Sequence, residues 1–248
     1  MNLNQLLDYT RQILQPERFR DYCPNGLQVE GRHDVKKIVT GVTASMQLLE
    51  AAHEAGADAI LVHHGYFWKS EDSRVVGIKK ARLKFLLAND LSLVAYHLPL
   101  DAHLELGNNA QLAKLMGADI NGWAGEQNLV AYGELEQPIR LAEFALIMKQ
   151  KLNRLPTVIG DEHKLIQKVA WCTGAAQGSM EVAMNLGVDL YVSGEISEQT
   201  VHLARESGVA YLSAGHHATE RYGIKALGEH LASKFGIKHE FIDIENPV

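Results

Sequence analysis

Apolar positions along the chain follow two rhythms. Between residues 3 and 14, Leu3, Leu6, Leu7, Ile13 and Leu14 fall at near-helical spacing and Pro16 ends the run, which predicts an amphipathic helix. From residue 37 the rhythm changes to strand, helix, strand. "KIVTGV" is a short apolar run, "MQLLEAAHEAG" puts Leu48, Leu49 and Ala52 on one face and stops at Gly56, and "DAILV" is a second apolar run. A strand, a crossover helix and a strand of these lengths make a right-handed β-α-β unit with parallel strands.

The same pattern occurs again 131 positions later. "KKIVTGVTASMQLLEAAHEAGADAILVHHG" (36–65) aligns without a gap to "QKVAWCTGAAQGSMEVAMNLGVDLYVSGEI" (167–196). Identities fall at Lys37/Lys168, Ala44/Ala175, Glu50/Glu181, Ala52/Ala183, Gly56/Gly187 and Asp58/Asp189. Gly56 and Gly187 stand where a helix ends in a left-handed cap. Each copy continues through a helix, "GIKKARLKFLLAND" or "SEQTVHLARES", into a third strand, "LSLVAYH" or "GVAYLSAGH". The expected architecture is α/β: two related β-α-β halves, residues 1–125 and 126–248, with mostly parallel sheets flanked by helices. "GADINGWAGEQN" (117–128) breaks the pattern and marks the expected boundary. The C-terminal stretch is expected to return to a site shared by the halves, in the cleft between them.

Charge narrows the function classes. The formal net charge is −6 at pH 7 and no dense Lys/Arg cluster occurs, which argues against nucleic acid as the main partner. No apolar run reaches the roughly 18–20 residues of a membrane span, and the N-terminal residues lack the pattern of a signal peptide. Two cysteines without metal-finger spacing fit reduced thiols in a cytoplasmic protein.

Histidines carry the candidate chemistry. Parallel α/β sheets present functional groups at the carboxyl ends of their strands. His63 and His64 end one predicted strand, His97 ends a neighbouring one, and His216 ends the matching strand of the second copy. His97 and Asp101 are four apart, as are His216 and Glu220. Imidazoles and carboxylates together suit a pair of divalent transition metals. Adjacent strand residues point to opposite faces, so His63 and His64 share a site only if the strand ends there, and Gly65 is expected to supply the turn. His217 is an alternative to His216, since Glu220 then lies three residues on and still shares a helix face. The remaining signals are weaker. "CTGAAQGS" (172–179) reads as a tight turn or a phosphate cradle, "DYCPNGLQVEG" (21–31) carries a turn signature, and no G-x-S-x-G elbow exists.

The stretches "VTASMQLLEAAHEAGADAILVHHG", "VAYHLPLDAHLELGNNAQLA" and "VDLYVSGEISEQTVHLARESGVAYLSAGHHATE", with "NGLQV" near the start, resemble the Nif-three-like proteins, also catalogued as GTP cyclohydrolase 1 type 2 homologues. The resemblance spans nearly the whole chain. It implies two divalent transition-metal ions (iron, zinc or manganese) held by His63, His64, Asp101, His216 and Glu220. It puts His97 beside them as an acid/base, and it implies a ring-shaped homohexamer. The activity it implies is hydrolytic opening of a purine nucleotide by an activated water. A di-metal hydrolase acting on another phosphoester or amide, and a non-enzymatic metal-binding regulatory protein, are the alternatives. Gly65 stands where many relatives have proline, and Leu98 and Pro99 where many have Thr-Asn.

Overall fold

The computed structural model describes residues 1–248. The elements are, in order, α1 (Leu3–Leu14), β1 (Gly26–Val29), β2 (Lys37–Thr43), α2 (Met46–Glu54), β3 (Ala59–His64), α3 (Gly77–Ala88), β4 (Ser92–Ala95), α4 (Leu98–Ala102), α5 (Asn108–Met116), β5 (Ala118–Ala124), β6 (Val130–Arg140), α6 (Leu141–Leu152), β7 (Thr157–Ile159), β8 (Leu165–Cys172), α7 (Met180–Leu186), β9 (Leu190–Ser193), α8 (Glu198–Ser207), β10 (Ala210–Ser213), α9 (His216–Phe235) and β11 (Lys238–Phe241). No helix is long and apolar enough to cross a membrane. The chain divides into two compact units, Met1–Gly107 with Gly223–Glu245, and Asn108–Tyr222 with Asn246–Val248.

Local signals set the helix ends. Asn2 and Gln5 form a capping box on α1, and Gln15 ends it in the left-handed region just before Pro16. Ser45 caps α2 by accepting from the Leu48 N–H. Gly56 and Gly187 follow α2 and α7 with φ of 72° and 65°, as their places in the repeat require.

In the first unit the sheet order is β1-β4-β3-β2-β11; β1 is antiparallel to β4 and the other pairs are parallel. Helices cover both faces. Leu48, Leu49 and Ala52 of α2 and Leu86 of α3 bury Val39, Ile60 and Leu93. Leu3 and Leu6 of α1 and Ile224, Leu227 and Leu231 of α9 bury Ile38, Leu61 and Val94 on the other face. Alternate residues of one strand therefore serve opposite cores, which is why the strands read as unbroken apolar runs.

The second unit has the sheet β5-β6-β8-β9-β10-β7. β8, β9 and β10 are parallel; β5, β6 and β7 join antiparallel. This sheet is mixed, against the expected parallel predominance. Phe144 and Met148 of α6 cover Trp171, Val192 and Leu212, while Met180 and Ala183 of α7 cover Ala170, Tyr191 and Tyr211.

The repeat is a repeat of register. β2 pairs with β3 through Ile38↔Ala59, Val39↔Ile60, Thr40↔Leu61 and Gly41↔Val62. β8 pairs with β9 through Val169↔Leu190, Ala170↔Tyr191, Trp171↔Val192 and Cys172↔Ser193, each partner 131 positions later. The boundary differs from the expected 125/126: the chain passes to the second unit between Gly107 and Asn108. "GADINGWAGEQN" is no linker. Its first part is β5, and Gly125, Gln127 and Asn128, all with positive φ, turn the chain back into β6.

Candidate functional site

Each unit gathers part of the expected site at the carboxyl ends of its parallel strands. In the first unit β4 stops pairing with β3 at Val62↔Ala95, while the β2 ladder runs on to Thr43↔His64. His63 and His64 thus lie past β4, on a strand end with one neighbour, and their ring centroids are 4.6 Å apart. The His97 ring lies 5.1 Å from that of His63 and 5.7 Å from that of His64. One nitrogen from each of the three histidines lies within 4.8 Å of the others.

His97 sits immediately before α4, and its carbonyl accepts from the Asp101 N–H. That single turn brings the Asp101 carboxylate to 3.5 Å from His63 Nε2. His63 is wholly buried and Asp101 nearly so. Gly65 is needed for space. Its φ is not positive, but a Cβ there would lie 2.2 Å from Gln28 Oε1 and 2.7 Å from the Ala95 Cβ.

In the second unit β9, β10 and α9 converge through three glycines. Gly194 donates to the Gly174 carbonyl, and Gly215 to that of Gly194. His216 opens α9 with Glu220 one turn on, and His216 Nε2 lies 3.2 Å from Glu220 Oε2. A Cβ on Gly174 would lie 2.1 Å from Glu220 Oε1 and 3.3 Å from His216 Nε2. The 172–179 turn thus makes room for the carboxylate, which is the tight-turn reading and not the phosphate cradle. Of the adjacent histidines, His216 faces Glu220; the His217 backbone N–H donates to the Val248 carbonyl.

The two His-x-x-x-carboxylate pairs are offset by one residue. Ala95 pairs with Val62, and Ser213 pairs with Ser193, the repeat partner of Val62. His97 lies two residues beyond its strand partner and His216 three, so the register matches His97 to Gly215. The expected equivalence of His97 and His216 is corrected accordingly. His97 precedes its helix and His216 begins one.

All four imidazoles are held from behind through Nδ1. His63 Nδ1 donates to the Tyr96 carbonyl at 3.0 Å. His97 Nδ1 lies 2.7 Å from Asp21 Oδ1, and His216 Nδ1 lies 2.7 Å from Glu195 Oε1. His64 Nδ1 shares a hydrogen bond with the Thr43 hydroxyl at 3.1 Å. A carbonyl or carboxylate partner fixes the proton on Nδ1 and leaves the Nε2 lone pair outward, the usual arrangement of metal-binding histidine. Buried carboxylates beside outward Nε2 atoms fit borderline divalent transition metals. Burial pulls the His216 imidazole down, but hydrogen bonds and charge from Glu220 and Glu195 outweigh it and raise its pKa to about 9, so an ion bound there would displace the Nε2 proton.

The sequence pattern did not single out Asp21, Thr43, Tyr96 or Glu195. Glu195 had a signal: it holds the repeat position of His64. Asp21 precedes the Pro24-Asn25-Gly26 turn, and Asn25 within it accepts at Oδ1 from the His97 N–H. A cleft of about 750 Å³ opens beside Asp21, Cys23 and Tyr96, with Arg11, Arg20 and Lys69 on its walls.

The Duf34/NIF3 (NGG1p interacting factor 3) family matches residues 1–247. The chain belongs to this family. A Pseudomonas aeruginosa relative called GTP cyclohydrolase 1 type 2 homolog is 53% identical over 248 residues, 99% of this chain and 98% of that one. An Escherichia coli K12 relative of the same description is 50% identical and covers both chains fully. Among solved structures, the protein ybgI, described as of unknown function, superposes with a TM-score of 0.96 at 50% identity, covering all of both chains. A Thermus thermophilus protein superposes at 0.90 with 32% identity, also over all of both chains. Both solved structures share the fold of this chain.

Proposed function

We propose that this NIF3-family protein is a hydrolase dependent on two divalent transition-metal ions, with GTP as the first substrate class to test. The ligands in this reading are His63, His64, Asp101, His216 and Glu220. The observation that carries it is the anchoring of His63, His97 and His216 through Nδ1, with the buried Asp101 beside His63 and the buried Glu220 beside His216. Bound, the ions supply Lewis acidity and the means to activate a water at neutral pH.

The chain's own groups have distinct roles. The Tyr96 carbonyl and Glu195 orient the His63 and His216 rings. Asp101 and Glu220 offset positive charge that buried imidazoles alone would leave uncompensated. His97 takes a proton at Nε2 from the attacking water and returns it to the leaving atom. Arg11, Arg20 and Lys69 in the adjoining cleft are cations suited to a nucleotide's phosphates, and the relatives' description points to a purine nucleotide.

Elemental analysis of untagged protein, with His64→Ala and Glu220→Ala alongside, tests the ligand set. Two transition-metal ions per chain in the native protein and fewer in both variants are expected. GTP turnover that follows metal content supports the hydrolase reading. Metal-free protein whose fold and stability ignore both substitutions overturns it.

A further inference from the structure

Asp21 is built into the molecule more firmly than a loop residue needs to be. Its side chain is 4% exposed. Oδ1 accepts from His97 Nδ1 at 2.7 Å and from the Tyr22 N–H at 2.6 Å, and Oδ2 accepts from Asn25 Nδ2 at 2.8 Å and from the Leu98 N–H at 2.9 Å. Asn25 closes the frame by accepting from the His97 N–H at 2.8 Å. Both carboxylate oxygens are saturated by donors, so the group has no freedom to rotate and each bond favours its ionised form.

The donors also settle which way His97 faces. A carboxylate held ionised accepts only, so the proton between Asp21 and His97 resides on Nδ1. The Nε2 lone pair then lies on the side of His63 and His64, with which His97 shares a cluster of nitrogens. Trp68 packs edge-on against the His97 ring at 5.0 Å and limits its rotation.

We propose that Asp21 is the positioning residue of an Asp21–His97 acid–base pair, holding His97 in the Nδ1–H tautomer so that Nε2 is the proton-accepting atom. This rests on the hydrolase reading above. In the forward step Nε2 takes a proton from water as the water oxygen bonds to the electrophilic atom. The imidazolium so formed is balanced by the Asp21 carboxylate, which keeps its charge throughout. When the bond to the leaving atom breaks, Nε2 returns the proton there and the neutral tautomer is restored. Without Asp21 either nitrogen of His97 can carry the proton, and the Nε2–H tautomer presents a donor where an acceptor is needed.

A structural clamp gives the same hydrogen bonds, so the test reads the tautomer itself. Zinc-loaded protein labelled with ¹⁵N-histidine is examined by long-range ¹H–¹⁵N spectroscopy, with His97 assigned through His97→Gln. The native protein is expected to show a protonated Nδ1 and an unprotonated Nε2 at His97. Asp21→Asn, whose amide can donate as well as accept, is expected to move the proton to Nε2 while zinc content stays at the native level. With GTP and bis(p-nitrophenyl) phosphate as probes, kcat is expected to fall about a hundredfold or more in Asp21→Asn with little change in KM, the range for loss of positioned acid–base catalysis. Asp21→Glu is expected to recover part of it. Asn25→Ala, which weakens the frame but keeps the carboxylate, is expected to cost much less.

An unchanged tautomer in Asp21→Asn, or a kcat within threefold of native, overturns the assignment and leaves the hydrolase reading standing. Failure of native, zinc-loaded protein to turn over either probe overturns the hydrolase reading, and is seen before any variant is compared.

Discussion

Asp58 and Asp189 do the same work in the two units. Asp58 Oδ2 accepts from the Lys36 and Lys37 N–H groups at 2.8 and 2.9 Å. Asp189 Oδ2 accepts from the Gln167 and Lys168 N–H groups at 3.0 and 2.9 Å. In each unit the residue that opens the second strand of the repeat ties down the start of the first. The identity kept between the two copies thus has a mechanical cause. Asp58→Ala and Asp189→Ala each strand two backbone donors, at a cost of about 2 kcal/mol, the range for hydrogen bonds to a charged group. Denaturant unfolding of the two variants checks this, and the reading fails if either is as stable as the native chain.

Gly174 should tolerate no side chain. Its φ is 69°, and a Cβ would strike the Glu220 carboxylate. Gly174→Ala is expected to lower metal content sharply. Gly187→Ala is the control: φ there is 65°, but the space is open. It is expected to cost about 1 kcal/mol of backbone strain with metal content unchanged. Equal metal content in both variants would count against the placement of Glu220.

Cys23 should be slow to react. Burial pushes its thiol up to about 12, with a further push from the Asp21 charge and a smaller opposing pull from Lys69. The thiolate is the reactive form, so native protein at pH 8 is expected to react with a disulfide reagent at Cys23 far more slowly than unfolded protein does. Rapid native-state labelling, located by peptide mapping, is the contrary result.

Acid should reveal Asp21. Burial raises its pKa, but the hydrogen bond and charge of His97, and the Asn25 and Tyr22 donors, outweigh this and hold it below the usual carboxylate value. A lowered folded-state pKa gives stability that is present above the unfolded value near 3.8. That stability is lost as pH falls below it, through the folded-state value. Unfolding free energy measured from pH 5 downward is expected to fall less steeply in Asp21→Asn than in the native chain, and parallel curves would contradict it.

Much of this was legible in the chain because the β-α-β unit makes the same physical demands each time it is built. Apolar strands buried on both faces, a glycine in the left-handed region and an aspartate at the strand start recur at one spacing, so the repeat was readable at low identity. His63, His64, His97, His216 and the carboxylates Asp101 and Glu220 were readable because each lies at a strand end or within one helical turn of it. Asp21 was not, since it meets His97 from 76 residues away and nothing local to it announces a partner. The unit boundary was misplaced because a glycine-rich hairpin and a linker share a composition. The one-residue offset between His97 and His216 became visible only through the strand ladders, since spacing within each motif does not depend on where the helix begins.

The Nδ1 anchors have a consequence for how ions would be exchanged. With each ring tethered to the scaffold, the nitrogens proposed to coordinate occupy their places before any ion arrives, and loading one would cost little ordering of the rings. Swapping one divalent ion for another is then a replacement within fixed frames, decided by the ion's own preference for nitrogen and carboxylate oxygen and by its supply. If the proposed two-ion reading holds, which metal resides there would depend on the surroundings in which the protein works as much as on its sequence.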